Sequence, residues 1–174
     1  LPELLARRPN AHVIIVGGSG ASYGAAAPAG TTWRKVFHDE VAQRIDHQRV
    51  HFVGKLPHAT LTQLMQVSTV HAYLTYPFVL SWSLMEAMSI GCLIVASDTA
   101  PVQEHIRHGE NGLLVDFFDP QALANTIAQA IEQREQLREL RTAARSHVVA
   151  NLDLNGICLP AQIDLMSRIV NAPL

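Results

Sequence analysis

Ionisable side chains are scarce in this chain: Asp, Glu, Lys and Arg make up 16% of its 174 residues, while 48% are apolar. That balance excludes a disordered chain and allows one compact domain with a sizeable core. The 13 basic residues are scattered from Arg7 to Arg168 and the net charge is -2, so no electrostatic footprint for nucleic acid or an anionic membrane surface exists. Cysteine is nearly missing. Cys92 and Cys158 have no CxxC spacing, which excludes a disulfide framework or a zinc knuckle and fits a reducing, cytoplasmic setting. Nine histidines are present, but no HExxH or similar pair on one helix face, so neither a metal nor a cofactor is expected. Long apolar runs are also lacking. The charge-free window from Leu56 to Met85 is interrupted by His71, Pro77 and many Ser and Thr residues, whereas a membrane-spanning helix needs about 20 unbroken apolar residues. The opening "LPELLARRPN" has no small-residue cleavage site and reads as the last turns of a helix, so the chain is expected to be a fragment.

What is present alternates. Short β-branched runs at His12 to Gly18, Arg49 to Gly54, Thr69 to Leu74, Cys92 to Ser97 and Gly112 to Asp116 read as strands. Between them Trp33, Phe37, Val41 and Ile45 recur every four residues, and Leu61, Leu64 and Met65 form a smaller stripe, both helical patterns. Asp119 can cap a helix opened by Pro120, the Ala-, Gln- and Glu-rich stretch after it predicts one or two helices, and Ile157 to Val170 reads as a final amphipathic helix. Strands separated by helices imply an α/β fold: a Rossmann-like, mainly parallel sheet with helices on both faces. Ligands of such sheets bind at the carboxyl ends of the strands, here the loops after Val16, Val53, Leu74 and Val95.

Two motifs fail. The glycine loop "GGSGASYG" is one residue too long for a dinucleotide fingerprint and lacks the Lys and Ser/Thr of a Walker loop, which leaves a surface loop or one wall of a cleft. No GxSxG is present, and Ser81 and Ser83 have no obvious base. One residue stands out instead. Between Lys55 and Asp98 the only formal charge is Glu86, within "TYPFVLSWSLMEAMSIGCLIVASD", and a lone carboxylate in an apolar segment is costly without partners. A structural reading is available, since "SLME" (Ser83 to Glu86) matches a capping box. In a functional reading, a helix starting near Trp82 aims its unpaired amides at an anionic phosphate, and Glu86, one turn inside, accepts from two neighbouring hydroxyls such as those of a ribose.

The segment "FVLSWSLMEAMSIGCLIVASDTAPVQEHIRHGENGLLVDFFDP" resembles the donor-binding half of the glycosyltransferase family 4 enzymes of GT-B fold. The resemblance is carried by Glu86-Ala87-Met88, Gly91, Glu104 and Asn111-Gly112-Leu113-Leu114-Val115 in fixed order, and "RVHFVGKLPHATLTQLMQVSTV" is similar to the segment upstream. The resemblance implies one Rossmann-like donor domain over residues 1–174, without its first strand and without the acceptor domain. It implies a retaining transferase that moves a sugar from a nucleoside diphosphate carrier to an acceptor hydroxyl, and a fragment inactive on its own. By the same resemblance, Glu86 holds the ribose hydroxyls, the backbone at Lys55 and Leu56 meets the base, the amides of Leu80, Ser81 and Trp82 face the diphosphate, and the turn at Thr99 and Ala100 lies near the sugar. No catalytic residue and no metal ligand is assigned.

The chain departs from the family pattern in two respects. Phe78 stands where most members have a second Glu eight positions before the helix Glu, and Val79 and Ser81 replace loop glycines. The Arg and Lys that neutralise the diphosphate in the family belong to a segment preceding Leu1. The alternatives are a non-catalytic Rossmann-like binding module with a degenerate donor site, supported by Phe78, and a sugar-nucleotide epimerase, for which no acid/base pair is evident. An open crevice lined by Leu56, Ser81 and Glu86 would favour the transferase, and a closed capping box the binding module. Of the remaining residues, Glu104 is expected to bond backbone amides in its turn, "EQREQLRELR" to form a solvated helix face, Trp82 to pack in the core, and Asn111-Gly112 to make a turn before a strand. The base, the sugar, the acceptor and the oligomeric state are not legible, and any membrane association would rest with the missing half.

Overall fold

A computed structural model describes residues 1–20, 24–76 and 79–171. The chain runs α1 (Pro2–Arg7), β1 (Val13–Val16), α2 (Trp33–Val41), β2 (Val50–Gly54), α3 (His58–Val67), β3 (His71–Tyr73), α4 (Trp82–Ile90), β4 (Ile94–Ser97), α5 (Ala100–Gln103), β5 (Leu113–Val115), α6 (Pro120–Glu132), α7 (Arg138–Leu152) and α8 (Leu159–Val170). All five strands lie inside the runs expected from β-branched patterning. Among the described residues every pairing is parallel, as βαβ connections require.

The sheet is divided. Among the described residues β1 pairs only with β2, and β4 lies between β3 and β5 in a second ladder. β4 is buried along its whole length, and its alternating side chains serve two cores. Ile94 and Ala96 face a cluster built on Leu84, Ala87 and Met88 of α4, while Val95, with Leu93 just before the strand, packs with Val115 and with Ala130 of α6. Period-two alternation with a helix against each face is the expected doubly covered sheet. β1 is less well covered, with Ile14 45% exposed.

α4 is fixed at its carboxyl end. Gly91 adopts φ +79°, the left-handed conformation that ends a helix; its amide turns back to the carbonyl of Met88, and the amide of Cys92 donates to that of Ala87. Arg141 Nε donates to the Gly91 carbonyl at 2.8 Å and the Arg145 guanidinium donates to that of Ser89, so two cations of α7 meet the negative end of the α4 dipole. Ala144, fully buried between these arginines in sequence, lets the two helices approach.

Other local expectations also meet the structure. Asp119 accepts from the amides of Gln121 and Ala122 and caps α6. "EQREQLRELR" spans the break between α6 and α7, and Leu137 and Leu140 turn inward onto the second core cluster while its charged residues stay outside. Asn111 is buried: its Oδ1 accepts from the Arg107 amide at 2.7 Å and its Nδ2 donates to the His105 carbonyl at 2.9 Å. A Cβ at Gly112 would come within 2.9 Å of Ile106 Cγ2, so this pair shapes the turn into β5. The final amphipathic helix begins at Leu159, after a π-helical turn over Leu154–Cys158, and its Ile163, Met166 and Val170 are exposed rather than packed.

Replacing Asp119 by Ala should cost about 1 kcal/mol by removing the α6 cap, read as a lower denaturant midpoint at unchanged slope. His71 on β3 supplies a pH dependence, because burial holds its imidazole below the usual value. A depressed imidazole binds fewer protons in the folded than in the unfolded chain. Stability is therefore full at neutral pH and falls as pH drops through about 6.5. A His71→Gln variant should lose less stability than the native chain between pH 7 and 5 in urea titrations.

Candidate functional site

α4 carries the site because its direction is set by burial. Its Leu84, Ala87 and Met88 face is sealed against β4, and its amino end emerges beyond the carboxyl end of β3. Ser81 is the N-cap residue, in extended conformation, but makes no side-chain capping bond. Its Oγ lies 2.5 Å from Ser83 Oγ, and its amide donates to Tyr73 Oη at 3.0 Å. The capping box predicted for Ser83 and Glu86 is thus not formed: Ser83 lies inside the helix, so it has no cap amide to share with Glu86. The Glu86 carboxylate turns toward α3, where Oε1 lies 2.8 Å from Nε2 of His58.

A cavity of about 590 Å³ opens in front of this pair. Leu80, Ser81, Trp82, Met85 and Glu86 form its α4 side, and His58 and Thr62 of α3 stand opposite. Val148 and Leu152 of α7, with His105 and Cys158, close the far wall. Four of the eight residues expected at the site, Leu80, Ser81, Trp82 and Glu86, therefore share one cavity. Trp82 is 84% exposed, which corrects the expectation of core packing: it precedes the buried stripe of α4 and faces outward.

The other four lie apart from that wall. Lys55 and Leu56 follow β2, and Lys55 extends across the glycine loop, with Cε 3.2 Å from where a Cβ on Gly18 would stand. Thr99 caps the short α5 through its backbone. Its Oγ1 is buried without a partner among the described residues, so a ligand at this turn would meet backbone rather than the hydroxyl. Ala100 is exposed at the start of α5. Phe78 lies outside the described residues. Glu104 is exposed and makes no hydrogen bond among the described residues. This corrects its expected role of bonding backbone amides in the turn; the side-chain bond there is from Gln103 Nε2 to Asp98 Oδ1, at 2.6 Å.

The site is neutral apart from Glu86 and its histidines, because no Lys or Arg lines the cavity. His105 on the wall stands 3.3 Å from His147, whose imidazole is held low first by burial and then by the nearby His105 and Arg107. Neither cysteine is poised as a nucleophile. Cys92 is buried, which pushes its thiol up to about 11, and Cys158 is half-buried on a cavity wall that holds no Lys or Arg among the described residues. The two serine hydroxyls bond to each other rather than to a base. Among the described residues no group of three or more potential metal ligands is assembled, and no helix is long and apolar enough to cross a membrane. The arrangement can bind a polar ligand through helix amides and a carboxylate, but it offers no activated nucleophile. A smaller depression of about 300 Å³ at Ser19, Thr32, Arg34, Lys35, His38 and Asp39 contains none of the expected residues.

His58, Tyr73 and the α7 wall were not anticipated. Their roles depend on contacts across long sequence separations, such as the 28 residues between His58 and Glu86, and no local pattern marks them.

Comparison with known proteins gives these residues a context. A D-inositol 3-phosphate glycosyltransferase of Corynebacterium efficiens is 32% identical over 136 residues, covering 76% of this chain and 30% of that protein. The chain thus spans less than a third of that relative. The crystal structure of Anabaena Alr3699/HepE in complex with UDP superposes with a TM-score of 0.75 at 27% identity, over 96% of this chain and 44% of that one. Sucrose-phosphate synthase from Thermosynechococcus elongatus superposes with a TM-score of 0.77 at 26% identity, over 98% of this chain and 41% of that one. The family model described as glycosyl transferases group 1 matches residues 1–147. With that match over most of its length, and with a parallel α/β fold shared with GT-B enzymes, the chain belongs to the group 1 glycosyltransferase family.

Proposed function

We propose that the chain is the donor-binding domain, residues 1–174, of a retaining glycosyltransferase that moves a sugar from a nucleoside diphosphate carrier to an acceptor hydroxyl. The observation that carries this reading is the placement of Glu86. One turn inside α4, its carboxylate opens onto a cavity that also receives the start of that helix, instead of closing on its own helix amides. A carboxylate oxygen only accepts, so it suits paired hydroxyls, and the nearby helix amides suit a diphosphate.

In this reading Glu86 takes the ribose hydroxyls, the backbone at Lys55 and Leu56 the base, and the Thr99–Ala100 backbone the sugar. Leu80 and Trp82 present amides to the diphosphate, and Ser81 does so once its amide leaves Tyr73 Oη. The likeness to an enzyme crystallised with UDP supports a uridine nucleotide as the first candidate. The acceptor would be held by a separate domain, since the chain covers 30% of its curated relative. Free cysteines fit a cytoplasmic protein. Without an activated nucleophile among the described residues of the cavity, transfer rests on positioning and on stabilising the leaving diphosphate.

Calorimetric titration with UDP, GDP and ADP tests this. One nucleotide should bind selectively, with a dissociation constant of about 0.1–1 mM, because no cation lines the cavity. Glu86→Ala should weaken binding about tenfold or more, the loss of hydrogen bonds to a charged acceptor. Binding by none of the three, with the variant only less stable, would overturn the reading.

A further inference from the structure

His58 opens α3 immediately after Pro57, two residues beyond Leu56 and thus next to the backbone assigned to the base. From there its ring reaches across the cavity mouth to α4 and places Nε2 2.8 Å from Oε1 of Glu86. Because a carboxylate only accepts, the imidazole donates through Nε2–H. The His58 side chain is 73% exposed and that of Glu86 36%, so this bond belongs to the surface of the cavity and contributes little to holding the fold. Its effect is on the carboxylate. Glu86 has three rotatable side-chain bonds and no other partner among the described residues, and the one other ionisable side chain near it on the wall that is not a thiol, His105, stands against His147.

We propose that His58 is a positioning residue for ribose recognition, a reading that rests on the donor site proposed above. Donation to Oε1 fixes the plane of the carboxylate, leaving Oε2 and the second lone pair of Oε1 to accept from the adjacent 2′ and 3′ hydroxyls. A carboxylate held in advance loses no rotamer freedom when the nucleotide arrives, so its preference for two hydroxyls over one is expressed in full. His58 thereby links the base-contacting end of β2 to the ribose carboxylate of α4 and makes the site selective for ribonucleotides.

The test is the ratio of dissociation constants for 2′-deoxy-UDP and UDP, or for the matching pair of whichever nucleotide binds, measured on the native chain, His58→Ala and His58→Gln. The native ratio should be on the order of tenfold, the loss of one hydrogen bond to a charged acceptor. It should fall to about twofold in His58→Ala and recover in His58→Gln, whose amide can donate from nearly the same place as Nε2. A general loss of stability would weaken both ligands together and leave the ratio unmoved. An unchanged ratio in His58→Ala, or an equal fall in both variants, overturns the role of His58. A native chain that binds none of UDP, GDP and ADP instead overturns the donor reading on which it rests.

Discussion

The rest of the site depends on the burial of α4 between β4 and α7. Leu84, Ala87 and Met88 are sealed from solvent, and fully burying such side chains is worth roughly 1.5–3 kcal/mol each for the larger ones, so the helix has one orientation about its axis. Gly91 then ends it, and Arg141 and Arg145 hold its last carbonyls. With one face and one end fixed, the other end has no freedom. Its first amides must emerge beyond β3, and Glu86, on the half-exposed side of the helix, must face the space between α3 and α4. The geometry of the cavity follows from a packing interaction on the opposite side of the same helix.

The alternation in β4 does the same for the molecule as a whole. Ile94 and Ala96 on one face and Val95 on the other oblige helices to cover both sides, which places α4 and α6 on opposite faces. Two further anchors tie β1 and β2 to this body. Leu4 of α1 packs on Ala124 and Ala128 of α6, and Arg49 donates to the carbonyls of Leu5, Arg8 and Pro9, at and just past the end of α1.

Elements whose cause is local were legible in the sequence. The five strands announced themselves through β-branched runs, and the Asp119–Pro120 start of α6 through capping chemistry that needs only neighbouring residues. Glu86 was also legible as an anomaly, because a single carboxylate among apolar residues demands an explanation. Which explanation held was not, since "SWSLME" offers two N-caps two residues apart. Ser83 would have closed a capping box, whereas Ser81, with Tyr73 Oη holding its amide, starts the helix earlier and releases the carboxylate. That choice is made by a tyrosine on another element. Trp82 was misjudged for a related reason: aromatic residues are usually buried, but the position immediately after the N-cap points away from the stripe that α4 buries.

The charge distribution then divides the work of binding. A nucleoside diphosphate carries its negative charge on the phosphates, yet the cavity wall contains no Lys or Arg and has a carboxylate of its own. Helix amides can orient an anion, but with about half an elementary charge at a helix start they do not neutralise a diphosphate. Under the donor reading, what this domain contributes is therefore discrimination more than affinity. On that reading it would recognise the nucleoside through Glu86, His58 and the β2 backbone, and most of the phosphate charge would be met by cations outside the described cavity. Such a division has a physical advantage for a transferase. A site that neutralised the diphosphate alone would hold product as firmly as donor, whereas one that requires cations from elsewhere binds both tightly only while those cations are in place.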